Sequence, residues 1–281
     1  MKIKFWGTRG SIPVPGKDTL TYGGNTCCLE ILLGTGKRVI IDAGTGIRPL
    51  GDHLVSQGEN VDIHLLMTHV HWDHVQGFPF FDPVFNPLTR ILVDGSPSSM
   101  KGLRAIFNNK LGDGFFPVKF EELSALIEHS DRLRRGTLNI DNTIIDTIPL
   151  HHPQGGFGFR FREGNKTLVF ITDNELTEKG WKGSRPEDFV RFCKDADILI
   201  HDSQFIPEEI NNRRGWGHSD YSDAVALALK AHVGQLFLFH HDPSRKDPEI
   251  ALIEARCREI AATAEADLVI HAAREGSELL L

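Results

Sequence analysis

A series of short apolar segments, each stopping abruptly at histidine or aspartate, constrains this chain more than any other feature. Ile63 to Thr68 runs into His69, Thr143 to Leu150 into His151-His152, and Thr167 to Thr172 into Asp173. Ile198 to His201 runs into Asp202, and Gln235 to Phe239 into His240-His241-Asp242. Runs of this length and bounding have the signature of β-strands. In open α/β sheets, sites form outside the carboxyl ends of strands, so these endings could converge in one cleft. Nine of the fourteen histidines lie in such endings or in the Gly217-His218-Ser219 turn, a density that packing alone does not explain.

The remaining pattern supplies the rest of an α/β chain. A hairpin is expected from Cys28 to Leu33, turning at Gly34-Thr35-Gly36 and returning from Arg38 to Asp42, with further strands over Ile91 to Asp94, Phe157 to Arg162 and Leu268 to Ala272. Ser219 or Asp220 can cap a helix through about His232, because Ala224, Leu227, Ala228 and Ala231 share one face at helical spacing. Asp247-Pro248 reads as a cap followed by a first-turn proline, opening a helix to about Thr263 with Ile250, Ile253, Cys257 and Ile260 facing the core. No repeat, low-complexity tract or Pro/Gly/Ser-rich linker divides the chain, so one α/β domain over 1–281 is expected. The Gly/Pro-rich stretch from Gly7 to Gly24 reads as well as a surface excursion as it does as a working loop.

Charge narrows the partners. Lys and Arg total 31 against 38 Asp and Glu, a net charge of −7, and proteins that hold long nucleic acids neutralise phosphates with a basic surface. No extended nucleic-acid surface is expected. Four cysteines are too few for a disulfide scaffold, and adjacent Cys27 and Cys28 in a strand point to opposite faces as small core hydrophobes. Met1 to Gly7 is followed by Thr8-Arg9-Gly10 instead of an apolar stretch, and no segment approaches the roughly 20 apolar residues of a membrane span. A cytoplasmic protein with no membrane partner is expected, and a homodimer is compatible with the sequence, which leaves the oligomeric state open.

The densest signal is Thr68-His69-Val70-His71-Trp72-Asp73-His74, with four potential metal ligands within six residues. Two histidines separated by one residue project to the same side of an extended segment, and the Asp-His pair can present a second set as the chain turns. That spacing suits two adjacent metals.

The Thr-His-x-His-x-Asp-His run, with the later His152, Asp173 and His240, resembles the metallo-β-lactamase superfamily across essentially the whole chain. The resemblance implies a four-layer αββα sandwich with a two-metal site at one edge of its two sheets. It implies His69, His71 and His152 on one metal, Asp73, His74 and His240 on the other, and Asp173 bridging. His152 is preferred over His151 because His152-Pro153-Gln154-Gly155-Gly156-Phe157 looks like the family's third motif, and His240 over His241 because it directly ends its strand. Asp42, in Asp42-Ala43-Gly44-Thr45-Gly46, resembles the family's early Asp-x-Gly motif, which supports ligand loops by hydrogen bonding.

Two further stretches are similar to the phosphodiesterase branch that holds ribonuclease Z and the phosphoribosyl cyclic phosphodiesterases. They are Ile198-Leu199-Ile200-His201-Asp202 with Gly217-His218-Ser219, and Phe5-Trp6-Gly7-Thr8-Arg9-Gly10-Ser11 with Tyr22-Gly23-Gly24-Asn25-Thr26. The likeness implies proton transfer by Asp202 and His218, which with Asp73 form the candidate catalytic group, and the helix after His218 is expected to draw an anionic phosphate to its N-terminus. Ribonuclease Z often carries a basic arm before the acidic motif, but here Asn174 to His201 hold five Lys/Arg and six Asp/Glu. The resemblance therefore implies a phosphodiesterase acting on a small cyclic phosphodiester, a cyclic nucleotide or phosphoribosyl cyclic phosphate. Two divalent ions would polarise its phosphoryl oxygens and lower the pKa of a water. Mixed His and carboxylate ligands suit Zn2+, with Mn2+ or iron compatible. The alternatives are a ribonuclease Z-like endonuclease, a thioester or lactam hydrolase, or metal-dependent binding without catalysis.

Overall fold

A computed structural model describes residues 1–58, 61–107, 117–176 and 183–281. The first part of the chain lays down β1 (Lys2–Gly7), β2 (Cys28–Leu32), β3 (Arg38–Ile41), α1 (Ile47–Ser56), β4 (Asp62–Met67), α2 (Trp72–Val75), β5 (Arg90–Gly95), α3 (Ser99–Ile106), β6 (Leu126–His129) and α4 (Arg132–Arg135). The second lays down β7 (Leu138–Ile140), β8 (Thr143–Pro149), β9 (Phe157–Glu163), β10 (Lys166–Ile171), α5 (Pro186–Cys193), β11 (Ile198–Asp202), α6 (Pro207–Arg213), α7 (Tyr221–Lys230), β12 (Gln235–Phe239), α8 (Asp247–Thr263), β13 (Val269–Ala272) and β14 (Glu278–Leu280). One sheet has the order β14-β1-β2-β3-β4-β5-β6 and the other β13-β12-β11-β10-β9-β8-β7. In each sheet three neighbouring pairs are parallel and three antiparallel.

The period-2 alternation of the strands builds the layers. Val39 and Ile41 of β3, Leu168 and Phe170 of β10 and Phe237 and Phe239 of β12 face a shared core between the sheets. Their neighbours face outward, Ile40 beneath α1 and α3, and Val169 and Leu238 beneath α5, α7 and α8. Helix, sheet, sheet and helix thus stack as the expected αββα sandwich. No described helix is long and apolar enough to cross a membrane.

Three local expectations change. Asp247 does not cap α8, because it is already the first helical residue and its carboxylate accepts from the amides of Thr21 (2.8 Å) and Tyr22 (3.2 Å). Ile260 is 36% exposed, since the buried stripe of α8 runs through Ile250, Ile253, Cys257 and Ala261. The Gly7 to Gly24 stretch is not a surface excursion throughout, because Thr8, Arg9 and Tyr22 are buried. The Arg9 guanidinium donates to the carbonyls of Gly23 (2.7 Å), Asp242 (3.2 Å) and Arg245 (2.7 Å), tying the first loop to the one after β12.

Candidate metal centre

Strand ends from both sheets meet at one rim. Asp42 and His240 come immediately after β3 and β12, and Asp173 one residue beyond β10, and all three adopt left-handed backbone conformations with φ of 61°, 61° and 49°. Non-glycine residues adopt this region rarely and at a cost of order 1–3 kcal/mol, so the reversals that aim these side chains into the rim are held by their surroundings.

The side chains sort into two adjoining groups. His69, His71, His152 and Asp173 bring one ligand atom each to within 4.8 Å of one another, and Cys27, Asp73, His74 and His240 do the same beside them. Asp173 faces both, its Oδ2 lying 3.5 Å from His69 Nε2 and 3.9 Å from His152 Nε2, while Oδ1 lies 3.2 Å from the Nε2 atoms of His74 and His240. Asp73 Oδ2 lies 3.4 Å from His74 Nε2 and 3.2 Å from His240 Nε2. His71 Nδ1 and His152 Nε2 are 2.9 Å apart.

The outer hydrogen bonds set which nitrogens face inward. Thr68 Oγ1 donates to Asp42 Oδ2 at 2.7 Å, so it is free to accept from His69 Nδ1 at 3.1 Å. His74 Nδ1 donates to Asp42 Oδ2 at 2.8 Å, and His152 Nδ1 to the carbonyl of Gly217 at 3.0 Å. With the outer nitrogen protonated, each imidazole turns an Nε2 lone pair toward the centre. The Nε2 atoms of His69 and His74 are buried with no hydrogen-bond partner among the described residues, an arrangement that is costly unless a cation takes the lone pairs.

Electrostatics make the same demand. Burial opposes ionisation of Asp173, yet His240, His74 and His69 hold its carboxyl well below the usual range. Burial likewise opposes ionisation of Asp73, which His74 and His240 keep well below normal. Burial presses His69 far below its ordinary value and His152 down to about 4, whereas on His74 and His240 the facing carboxylates outweigh burial and push the value up. Two buried carboxylates amid converging imidazoles form a donor set that fits divalent cations.

Asp202 and His218 stand beside these groups. His218 Nδ1 meets Asp202 Oδ2 at 2.8 Å, and its ring stacks on His240 with centroids 4.9 Å apart. Asp202 is fixed in turn by the amides of Gln204 (2.9 Å) and Asn174 (3.2 Å). The helix end after His218 offers less to a phosphate than expected, because Asp220 caps α7 and takes the amides of Ser222 and Asp223.

The other members of the doubled histidines turn away. His151 Nδ1 meets the Glu175 carbonyl at 3.0 Å, and His241 Nε2 donates to the Ala273 carbonyl at 2.9 Å, its value pressed by burial to about 3. His201 is fully buried against the Asp202 carbonyl.

Sequence reasoning misses several participants. Ser11 donates its amide to Asp73 Oδ2 at 2.7 Å, and Gly10 lies so close to His240 that a Cβ there would stand 2.3 Å from the ring. Glu175 accepts from the amides of Gly215 (2.8 Å) and Gly217 (3.1 Å), shaping the turn that carries His218. Cys27 is buried as expected, but against the second group of ligands. The one available signal was the density of small and polar residues around Gly10 and Gly24. Beside His71 opens a cavity of about 750 Å3 lined by Val70, Trp72, Lys101, Ile106 and Gln154.

A family model for the β-lactamase superfamily domain matches residues 37–241, which include Asp42, Asp202, His218 and all seven candidate ligands. Ribonuclease Z of Thermoplasma acidophilum is 27% identical, with 91% of each chain covered, and that of Sulfurisphaera tokodaii 28% identical over 68% of this chain and 73% of the relative. The crystal structure of the metallo-β-lactamase fold protein YhfI from Bacillus subtilis superposes with a TM-score of 0.73 at 16% identity, covering 99% of this chain and 98% of the other. The chain belongs to the metallo-β-lactamase superfamily, in its phosphodiesterase and ribonuclease Z-like branch.

Proposed function

We propose that this chain, a metal-dependent phosphodiester hydrolase, opens a small cyclic phosphodiester, a cyclic nucleotide or a phosphoribosyl cyclic phosphate, over two divalent ions. Zn2+ suits the donor set best, with His69, His71 and His152 on one ion, Asp73, His74 and His240 on the other, and Asp173 between them. Bound there, the ions supply Lewis acidity toward the phosphoryl oxygens and lower the pKa of water.

The observation that carries the reading is the Asp202–His218 pair, 2.8 Å apart and stacked against His240. Asp202 engages Nδ1 and fixes the imidazole's orientation, so Nε2 is the nitrogen that meets a substrate. From there His218 is placed to pass a proton to the leaving oxygen as the ring opens. The 2.8 Å separation of the pair supports this role. Asp73, held by the Ser11 amide, would help to hold one of the ions.

Size and charge favour a small substrate. The cavity beside His71 offers the Trp72 ring, 57% exposed, as a stacking face for a base or sugar, and Lys101 as a cation for phosphate. The stretch before Asp202 has no excess of positive charge, although its residues 177–182 lie outside those described. The name shared by the curated relatives favours a second reading, an endonuclease of the ribonuclease Z kind.

Protein loaded with Zn2+ or Mn2+ and assayed on 3′,5′- and 2′,3′-cyclic nucleotides, a phosphoribosyl cyclic phosphate and precursor tRNA separates the two. Cleavage of a cyclic substrate without processing of the tRNA is expected. Efficient tRNA processing with every cyclic compound ignored would overturn the proposal.

A further inference from the structure

The candidate ion site on the Asp73 side carries a donor that the pattern of strand-end His and Asp residues does not include. Cys27 Sγ lies with the ligand atoms of Asp73, His74 and His240 inside one set of mutual separations no greater than 4.8 Å. Around a cation with metal–nitrogen bonds near 2.0–2.1 Å and a metal–sulfur bond near 2.3 Å, sulfur and nitrogen stand about 3.5 Å apart at a tetrahedral angle and farther apart at wider ones. The group is therefore of the size that one cation draws together. His74 Nε2, fully buried and without a hydrogen-bond partner among the described residues, is aimed into the same space.

Local structure explains why Cys27 and not Cys28 arrives there. Successive side chains entering β2 alternate, so Cys28 packs outward with Trp6 and Ile40 while Cys27 faces the space between the sheets. The Cys27 thiol has a weak contact of 3.5 Å with the Arg9 carbonyl, and Arg9 is the buried anchor of the loop that also presents Ser11 to Asp73 and Gly10 to His240. One loop thus positions a thiol, a carboxylate and an imidazole around a single point.

We infer that Cys27 is a sulfur ligand of the ion held by Asp73, His74 and His240. This rests on the two-ion reading above, though not on its substrate. On binding, the S–H proton passes to solvent and the thiolate pair forms the metal–sulfur bond, with no change of oxidation state. A soft donor in this group and none in the other makes the two positions chemically unequal. The Cys27 side favours zinc or cobalt over manganese more strongly than the three-histidine side does.

Cobalt substitution of the whole chain tests this, because thiolate-to-cobalt charge transfer absorbs in the near ultraviolet and imidazole or carboxylate ligation does not. The band is expected to grow as the Cys27-side position fills and to be absent from Cys27→Ser, which still takes up two cobalt ions. In that variant the ion on the Cys27 side should be lost to a competing chelator at roughly 10–100-fold lower chelator concentration. X-ray absorption of the zinc-loaded wild type needs no variant, and should show a sulfur at about 2.3 Å alongside nitrogen and oxygen. Two bound ions with only nitrogen and oxygen neighbours, or a charge-transfer band that survives Cys27→Ser, would overturn the inference alone. A chain that takes up no metal would overturn the two-ion reading together with it.

Discussion

Asp42 is not itself one of the candidate ligands, yet three donors end on it: the Thr68 amide at 2.8 Å, the Thr68 hydroxyl at 2.7 Å and Nδ1 of the candidate ligand His74 at 2.8 Å. Burial pushes its carboxyl above the ordinary value even though His74 and Thr68 pull it down, so the site spends stability to keep this anion in place. An asparagine there has one acceptor oxygen and a donating amide, leaving at least one buried donor facing another donor, at about 1–3 kcal/mol. Asp42→Asn is expected to melt at lower temperature and to weaken the ion on the Asp73 side roughly 10–100-fold, with the three-histidine side retained. Chelator competition followed by metal analysis reads this, and retention of both ions at wild-type affinity would contradict it. His218 calls for a different outcome, because the role proposed for it is to move a proton. His218→Ala should keep both ions and lose about a hundred- to ten-thousand-fold in kcat on a substrate with an alkoxide leaving group. On an activated aryl phosphodiester, whose leaving group needs no proton, the loss should be far smaller; equal losses on both would remove the general-acid assignment.

At the scale of elements, α7 shows what placing His218 demands of its neighbours. Asp220 ends the turn after His218 and caps the helix, and Asp223 sits one turn later, where burial first and Asp220 second raise its carboxyl to about 6. A raised carboxyl favours the folded state while it is protonated. That contribution is complete below the ordinary value near 4 and is lost as pH rises through about 6, after which the charge is a standing penalty. Asp223→Asn should therefore match the wild type near pH 4 and exceed it above pH 6, by about 1 kcal/mol after allowance for partial solvent screening. Thermal melts at the two pH values check it, and a variant less stable at pH 8 would show that the Asp223 charge is favourable. Which elements were legible follows from the same physics. β10 buries alternate side chains on two cores and reads clearly, whereas β1, β6, β7 and β14 are not among the strands that the apolar runs announce. β7 and β14 have three residues each and β6 four, of which Leu126 is exposed, too few for a pattern.

Across the whole molecule, the strand-end residues were readable because each stands beside its own apolar run. The groups that hold them were not, since Arg9, Cys27 and Glu175 acquire partners only when sheet order and loop packing bring distant segments together, as Arg9 does with Arg245. Net charge belongs to this scale as well, and it bears on substrate. With 31 Lys and Arg against 38 Asp and Glu, the chain lacks the excess of cations that a long phosphate track requires. A protein making six to ten phosphate contacts loses about a thousand- to a hundred-thousand-fold in affinity as salt rises from roughly 50 to 200 mM, because each contact releases counterions. A cyclic nucleotide carries a single charge with no condensed counterions to release and, on the reading proposed above, would be held chiefly at the ions and against Trp72, so its kcat/KM should change by no more than about tenfold over that range. Parallel salt titrations of cyclic-nucleotide turnover and of tRNA binding measure the two slopes on the same metal-loaded protein. A shallow slope for turnover with weak tRNA binding even at low salt is expected. Tight tRNA binding at low salt that falls steeply with added salt would reveal a basic track on the folded surface that the overall charge conceals.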